Sequence, residues 1–196
     1  KFVFVPTDDN QTYAVNLQGT GNGTFTLRDQ NIDNGQSGQT AVFINIPVTT
    51  SGSGQVNLGT GGGGTTLSFD ATGGGNTQTI LPSAVLSAEQ SNDVTPPVIT
   101  IISPTAKDYL RSESFVVNVT SADADSGVFS FEMLLDGKIA TSGELVEPFF
   151  QKLGSHSLVA TSTDFMLNVA TSSVNFRIIA TPESTISDIE RAYSLG

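Results

Sequence analysis

The chain has 196 residues, 8 basic against 19 acidic side chains, a formal net charge of -11, 20 glycines, and neither cysteine nor tryptophan. That length suits one large domain or two small ones. Without cysteine there are no disulfides, thiolate nucleophiles or cysteine-ligated metals; scattered bases on an acidic chain repel nucleic acid, and no apolar run reaches the roughly 20 residues of a membrane helix.

Through residue 92 the apolar runs are short, rich in Val, Ile, Phe and Thr, and bounded by Gly, Asn, Asp or Ser. They predict strands at 2–5, 12–17, 23–28, 40–48, 54–58, 65–70 and 77–81. Thr24-Phe25-Thr26-Leu27 alternates polar with apolar, as a strand with one wet face does, and the turn signals recur at the spacing of an antiparallel sandwich. Two glycine clusters, Gly61 to Gly64 and Gly73 to Gly75, flank one of these strands. They read as hairpin loops: no Gly-Lys-Ser/Thr follows either, and no helical period begins there, so neither is a phosphate loop. The opening segment Phe2, Val3, Phe4 and Val5 has two possible uses. The simpler is pairing within its own sheet; the other is pairing with the open edge of a neighbouring subunit, which would make the chain a fibre subunit.

Ser91 to Pro97 reads as a linker, because residues before proline are kept out of the helical region and paired prolines favour extended backbone. Strands are predicted again at 98–102, 115–119, 128–135, 138–140, 156–163 and 172–179. Phe115, Val117 and Val119 alternate with polar or outward positions, as do Val174, Phe176 and Ile178, and both triplets are assigned to the core. Each such side chain stabilises by roughly 1.5 to 3 kcal/mol when buried. In the tail, Thr185-Ile186-Ser187-Asp188 resembles a helix start with an acid at the third position, and Ile186, Ile189 and Ala192 or Tyr193 follow at helical spacing. A helix of about three turns is marginal alone, so it either docks or opens a further module.

Asp93-Val94-Thr95-Pro96-Pro97, Ile101-Ile102-Ser103-Pro104, Asp123-Ala124-Asp125-Ser126-Gly127-Val128, Leu135-Asp136-Gly137, Leu153-Gly154-Ser155-His156-Ser157-Leu158 and Ala160-Thr161-Ser162-Thr163-Asp164 with Asn168 occur in that order. Together they resemble the bacterial Ig-like repeats of surface and secreted proteins, over less than half the chain. One departure stands out. Where such repeats carry an Asp-x-x-Gly-Asn turn, this chain has Asp164-Phe165-Met166-Leu167-Asn168, without the glycine. Glu183 to Leu195 is similar to the opening of small helical C-terminal modules, and residues 1–92 share a general likeness with accessory β-sandwiches beside secreted hydrolases. The resemblance implies an extracellular, structural role.

The chemistry on offer is narrow. The single imidazole, His156, begins a predicted strand, where a side chain commonly bonds back across a corner, and no Gly-x-Ser-x-Gly elbow supplies a nucleophile. Glu132 and Glu144 lie on or beside strand signals with no cleft implied, and sugar binding lacks tryptophan platforms. The acids Asp93, Asp123, Asp125 and Asp164 carry more. Calcium gathers carboxylates, carbonyls and waters, and in an Ig-like topology the 123–127 loop (between strands B and C) shares an end with the loop that Asp164 begins (between F and G). Asp93 precedes strand A, and its end depends on strand direction. The competing reading is polar turns in which Asp caps backbone amides.

These observations predict an all-β fold: two tandem antiparallel β-sandwich (Ig-like) domains with a short C-terminal helix. The boundaries expected are 1–92, 93–180 and 181–196. The function expected is a non-catalytic extracellular structural or adhesive module that spaces, presents or attaches partners on a bacterial surface or secreted protein. A self-assembling fibre subunit and an accessory carbohydrate-binding module are the alternatives. Calcium is the cofactor expected. The partners expected are other protein modules or copies of the chain, with surface glycans for the carbohydrate-binding alternative.

Overall fold

Residues 3–5, 13–33, 35–58 and 64–195 are described by the computed structural model. The chain divides into two units, Lys1–Asp93 and Val94–Gly196. In the first, β1 (Tyr13–Gln18), β2 (Gly23–Asp33), β3 (Gln36–Val48), β4 (Ser53–Leu58), β5 (Thr66–Asp70), β6 (Gln78–Ile80) and β7 (Ala84–Leu86) form two antiparallel sheets, ordered β1-β4-β5-β6 and β2-β3-β7. Ala41, Phe43 and Ile46 of β3 face Val56, Leu67 and Phe69 of β4 and β5 across the core, and Phe25 and Leu27 pack inward as their alternation requires. The Phe25 and Phe69 rings meet edge to face at 5.2 Å.

The strand expected at residues 2–5 is not seen over its described part: Val3, Phe4 and Val5 join no ladder among the described residues, and Phe4 is 83 % exposed. Consecutive apolar residues give this segment no single inward face, so alternation does not select a place for it in either sheet. Phe2 lies outside the described residues, as do residues 59–63, which hold most of the first glycine cluster. The second cluster is a loop organised by Asp70, whose carboxylate accepts the backbone N–H groups of Thr72 (3.0 Å), Gly73 (2.9 Å) and Gly75 (2.6 Å). Gly73 stands at φ 74, and a Cβ there would meet the Ser51 carbonyl oxygen at 2.3 Å, so glycine is required twice over.

The second unit contains β8 (Val98–Ser103), β9 (Asp108–Leu110), β10 (Phe115–Val116), β11 (Asn118–Ala122), β12 (Val128–Leu135), β13 (Lys138–Ala140), β14 (Leu145–Val146), β15 (Gly154–Asp164), β16 (Val169–Ile179) and α1 (Pro182–Leu195). One sheet runs β13-β12-β15-β16-β9; opposite it β8 pairs with β11 and β10 with β14. The contact of β9 with β16 is parallel, a local departure from the antiparallel pattern. Phe115, Val117, Val119, Phe176 and Ile178 are buried in one cluster, with Val174 packed against it. Tyr109, Phe115 and Phe176 stack edgewise or tilted at 4.7 to 5.5 Å. The predicted fold, two tandem β-sandwiches with a short C-terminal helix, is the fold observed.

His156 serves structure. Its Nδ1 lies 2.6 Å from Asp136 Oδ2 and its Nε2 2.8 Å from the Lys152 carbonyl oxygen, while its ring stacks on Phe176. Asp136 takes a left-handed conformation at φ 50, and its Oδ1 accepts the Ser157 N–H at 2.9 Å. The corner between β12 and β13 is thereby tied to β15.

The helix begins earlier than its sequence signal suggested. Thr181 is the cap: its hydroxyl accepts the Ser184 N–H at 3.1 Å, and the Ser184 hydroxyl accepts the Thr181 N–H at 2.8 Å. Pro182 follows at the first helical position, where its missing N–H is harmless. Asp188, expected at the start, instead faces Arg111 at 3.5 Å. No helix among the described residues is long and apolar enough to cross a membrane.

Candidate metal centre

The loop from β11 to β12 and the loop from β15 to β16 lie at one end of the second sandwich. They touch directly, because the Phe165 N–H donates to the Gly127 carbonyl oxygen at 3.1 Å. Asp123 opens the first loop. Its Oδ1 accepts the Gly127 N–H at 2.7 Å, and Gly127 closes the turn at φ 83. Asp164 ends β15 and is fully buried. Asn168 holds it twice, from the backbone N–H to Oδ1 and from the side-chain amide to Oδ2, each at 2.8 Å.

One carboxylate oxygen of Asp123 and one of Asp164 lie within 4.8 Å of each other, with Asp164 buried and Asp123 half-buried. Asp93, also expected in the set, is the last residue of the first unit. Asp93 sits directly ahead of the extended run into β8, and its N–H donates to Gln90 O at 3.2 Å, closing a single 3₁₀ turn at Gln90–Asn92. Asp125, the fourth acid of the expected set, is exposed and is not one of that pair.

Two ionised carboxylates no farther apart than 4.8 Å repel by about 3.5 kcal/mol or more at an effective dielectric of about 20. Among the described residues neither Asp123 nor Asp164 pairs with a lysine or arginine. Each of the hydrogen bonds named above occupies one lone pair of an oxygen that has two. Such a donor set suits a hard cation that takes several oxygens at flexible geometry, with backbone carbonyls and waters completing the shell. Asn168 and Gly127 are the positioning residues that acid spacing alone did not reveal; their signal is their place four residues after Asp164 and Asp123.

The remaining expected residues do not converge. Glu132 is exposed on β12, Glu144 accepts the Thr141 N–H at 3.1 Å in a turn, and Val3, Phe4 and Val5 carry no chemistry. Asp70 is set in its loop. Burial works against its charge, but the N–H groups of Thr72, Gly75 and Gly73 and the Thr72 hydroxyl outweigh it and hold the carboxyl below its ordinary value.

No protein-family model matches the chain, and a search of curated proteins gave no significant relative. Among solved structures, the fibronectin(III)-like modules of Clostridium thermocellum CbhA align at 15 % identity and TM-score 0.34, over 43 % of this chain and 99 % of that one. The endo-β-1,4-mannanase of Thermotoga petrophila aligns at 7 % identity and TM-score 0.36, over 46 % of this chain and 21 % of that one. Extracellular cadherin domains 3–6 of protocadherin gamma B2 align at 10 % identity and TM-score 0.26, over 87 % and 41 %.

Proposed function

We propose that the chain is a non-catalytic structural or adhesive module of an extracellular bacterial protein, and that Asp123 and Asp164 bind one calcium ion at the loop end of the second sandwich. The observation that carries this reading is the convergence of the Asp123 and Asp164 carboxylates within 4.8 Å. Calcium there would replace mutual repulsion by attraction to a common centre and brace both loops. The other polar side chains described above support the structural half of the reading, since Asp70, Asp136 and His156 are all spent on holding turns and corners. The resemblance of residues 93–180 to bacterial Ig-like repeats supplies the setting.

Thermal unfolding in EGTA and in calcium chloride tests it. The expected result is a higher Tm in calcium, as a ligand at about a hundred times its Kd adds about 2.7 kcal/mol to the native state. Asp123→Asn and Asp164→Asn should abolish the increment, and Asp125→Asn should keep it. A Tm indifferent to calcium, or an increment that survives Asp164→Asn, overturns the site.

A second reading rests on a different observation: Val3 and Phe4 are 65 % and 83 % exposed. Strand exchange through Phe2, Val3, Phe4 and Val5 into a second copy would cover them. Deleting residues 1–5 should then turn assemblies into monomers in sedimentation; monomers before and after deletion remove the reading.

A further inference from the structure

The helix α1 is docked with its polar side inward. Its buried positions are Ser184 and Asp188. Asp188 faces Arg111, while Arg191 pairs with Glu147 at 2.7 Å and lies over the Phe149 ring at 4.6 Å. On the opposite side Ile186, Ile189 and Tyr193, spaced i, i+3 and i+7, are 63 %, 65 % and 91 % exposed. A surface helix ordinarily shows the reverse arrangement, its apolar stripe toward the core. Isoleucine is also a mediocre helix former, so local propensity gives no reason for two of them on a wet face.

The charges beside the stripe indicate what would cover it. At 100° per residue, Glu183 and Glu190 fall together along one flank of the stripe, and both are exposed. The helix's lone base, Arg191, is turned inward to Glu147. An antiparallel second copy would set Glu183 and Glu190 against their own counterparts, and an anionic lipid surface would meet the same acids. We propose that the Ile186, Ile189 and Tyr193 stripe receives an amphipathic helix of a partner protein, one whose own apolar stripe is bordered by lysine or arginine. Apolar contact supplies the affinity, and the acidic flank sets orientation and on-rate.

The test uses the full chain and three helical peptides of about 15 residues, long enough to hold a helix on the surface. The first carries leucine at i, i+3, i+7 and i+11 with flanking lysines; the second scrambles the same composition; the third replaces the lysines by glutamates. The expected result is binding of the first peptide alone, with amide shifts confined to α1. Ile189→Ser and Glu190→Lys should each weaken it about tenfold, the scale of one lost apolar or charge contact, with Tm unchanged. Equal binding of the scrambled peptide reduces the effect to net charge and overturns the proposal. So does equal binding of the glutamate peptide, an affinity indifferent to Ile189→Ser, no binding of the first peptide, or self-association of the chain through this face.

Discussion

Leu167 occupies the left-handed region at φ 67, in the turn where the resembling repeats carry a glycine. A β-carbon there costs about 1 to 2 kcal/mol, partly offset by the lower entropy of the unfolded leucine chain. Leu167 is exposed and its N–H donation to the Asp164 carbonyl oxygen needs no side chain. Leu167→Gly should therefore stabilise the second unit by about 0.5 to 1 kcal/mol in urea unfolding, whereas a variant less stable than the parent would show that leucine contacts outweigh the strain. Asp70 makes a prediction of opposite kind. Its folded-state value lies below that of the unfolded chain, so the stability it contributes is complete above the ordinary carboxylate range near pH 4 and is lost as pH falls through the lower folded value. Asp70→Asn should be less stable than the parent at pH 7, and the gap should close as pH falls below the ordinary carboxylate range; a gap independent of pH would assign the loop's order to the glycines instead. What could be read at this scale was the identity of Asp123, Asp164 and His156, since each sits beside a turn signal. The conformation of Leu167 could not be read, since nothing in the residue type betrays it.

The strands that alternation disclosed are those long enough to show it. β12 and β15 have several inward positions each, so the period is visible, and the burial pattern of β15 repeats the alternation residue by residue. β7 and β9 have three residues each and β14 has two, too few to display a period, and all three were missed. They are held by partners distant in sequence: β9 by the end of β16, and β14 by β10. Residues 3–5 failed in the opposite sense, since strand-forming side chains give a strand only where a partner is within reach. Helix α1 was legible as a helix but not in its start, because Thr185-Ile186-Ser187-Asp188 and Thr181-Pro182-Glu183-Ser184 both offer a cap, and proline at the first helical position favours the earlier. Thr181→Ala removes the oxygen that accepts the Ser184 N–H and should cost the helix about 1 kcal/mol. Hydrogen exchange should show faster amides in the first turn of α1 and no change in β12 or β15; unchanged exchange throughout would mean that the Arg111 and Arg191 contacts alone fix the helix.

A net charge of -11 repels itself throughout the molecule, and any added salt relieves part of that repulsion by screening. A rise in Tm with calcium is therefore ambiguous until screening is separated from binding. The distinction lies in where and how the energy enters. Screening acts on every exposed carboxylate in both units and depends on ionic strength, whereas a bound ion acts through Asp123 and Asp164 on the unit that contains them. Each unit has its own core, so two unfolding transitions are expected by calorimetry. At ionic strength fixed with sodium chloride, exchanging sodium for millimolar calcium should raise the transition that Asp164→Asn lowers and leave the other in place. The shift should grow with the logarithm of free calcium once the site is filled, at about 1.4 kcal/mol per tenfold increase. If both transitions move together, or if ionic-strength-matched sodium chloride reproduces the shift, the effect belongs to the acidic surface as a whole and the Asp123 and Asp164 carboxylates are turn caps that hold no ion.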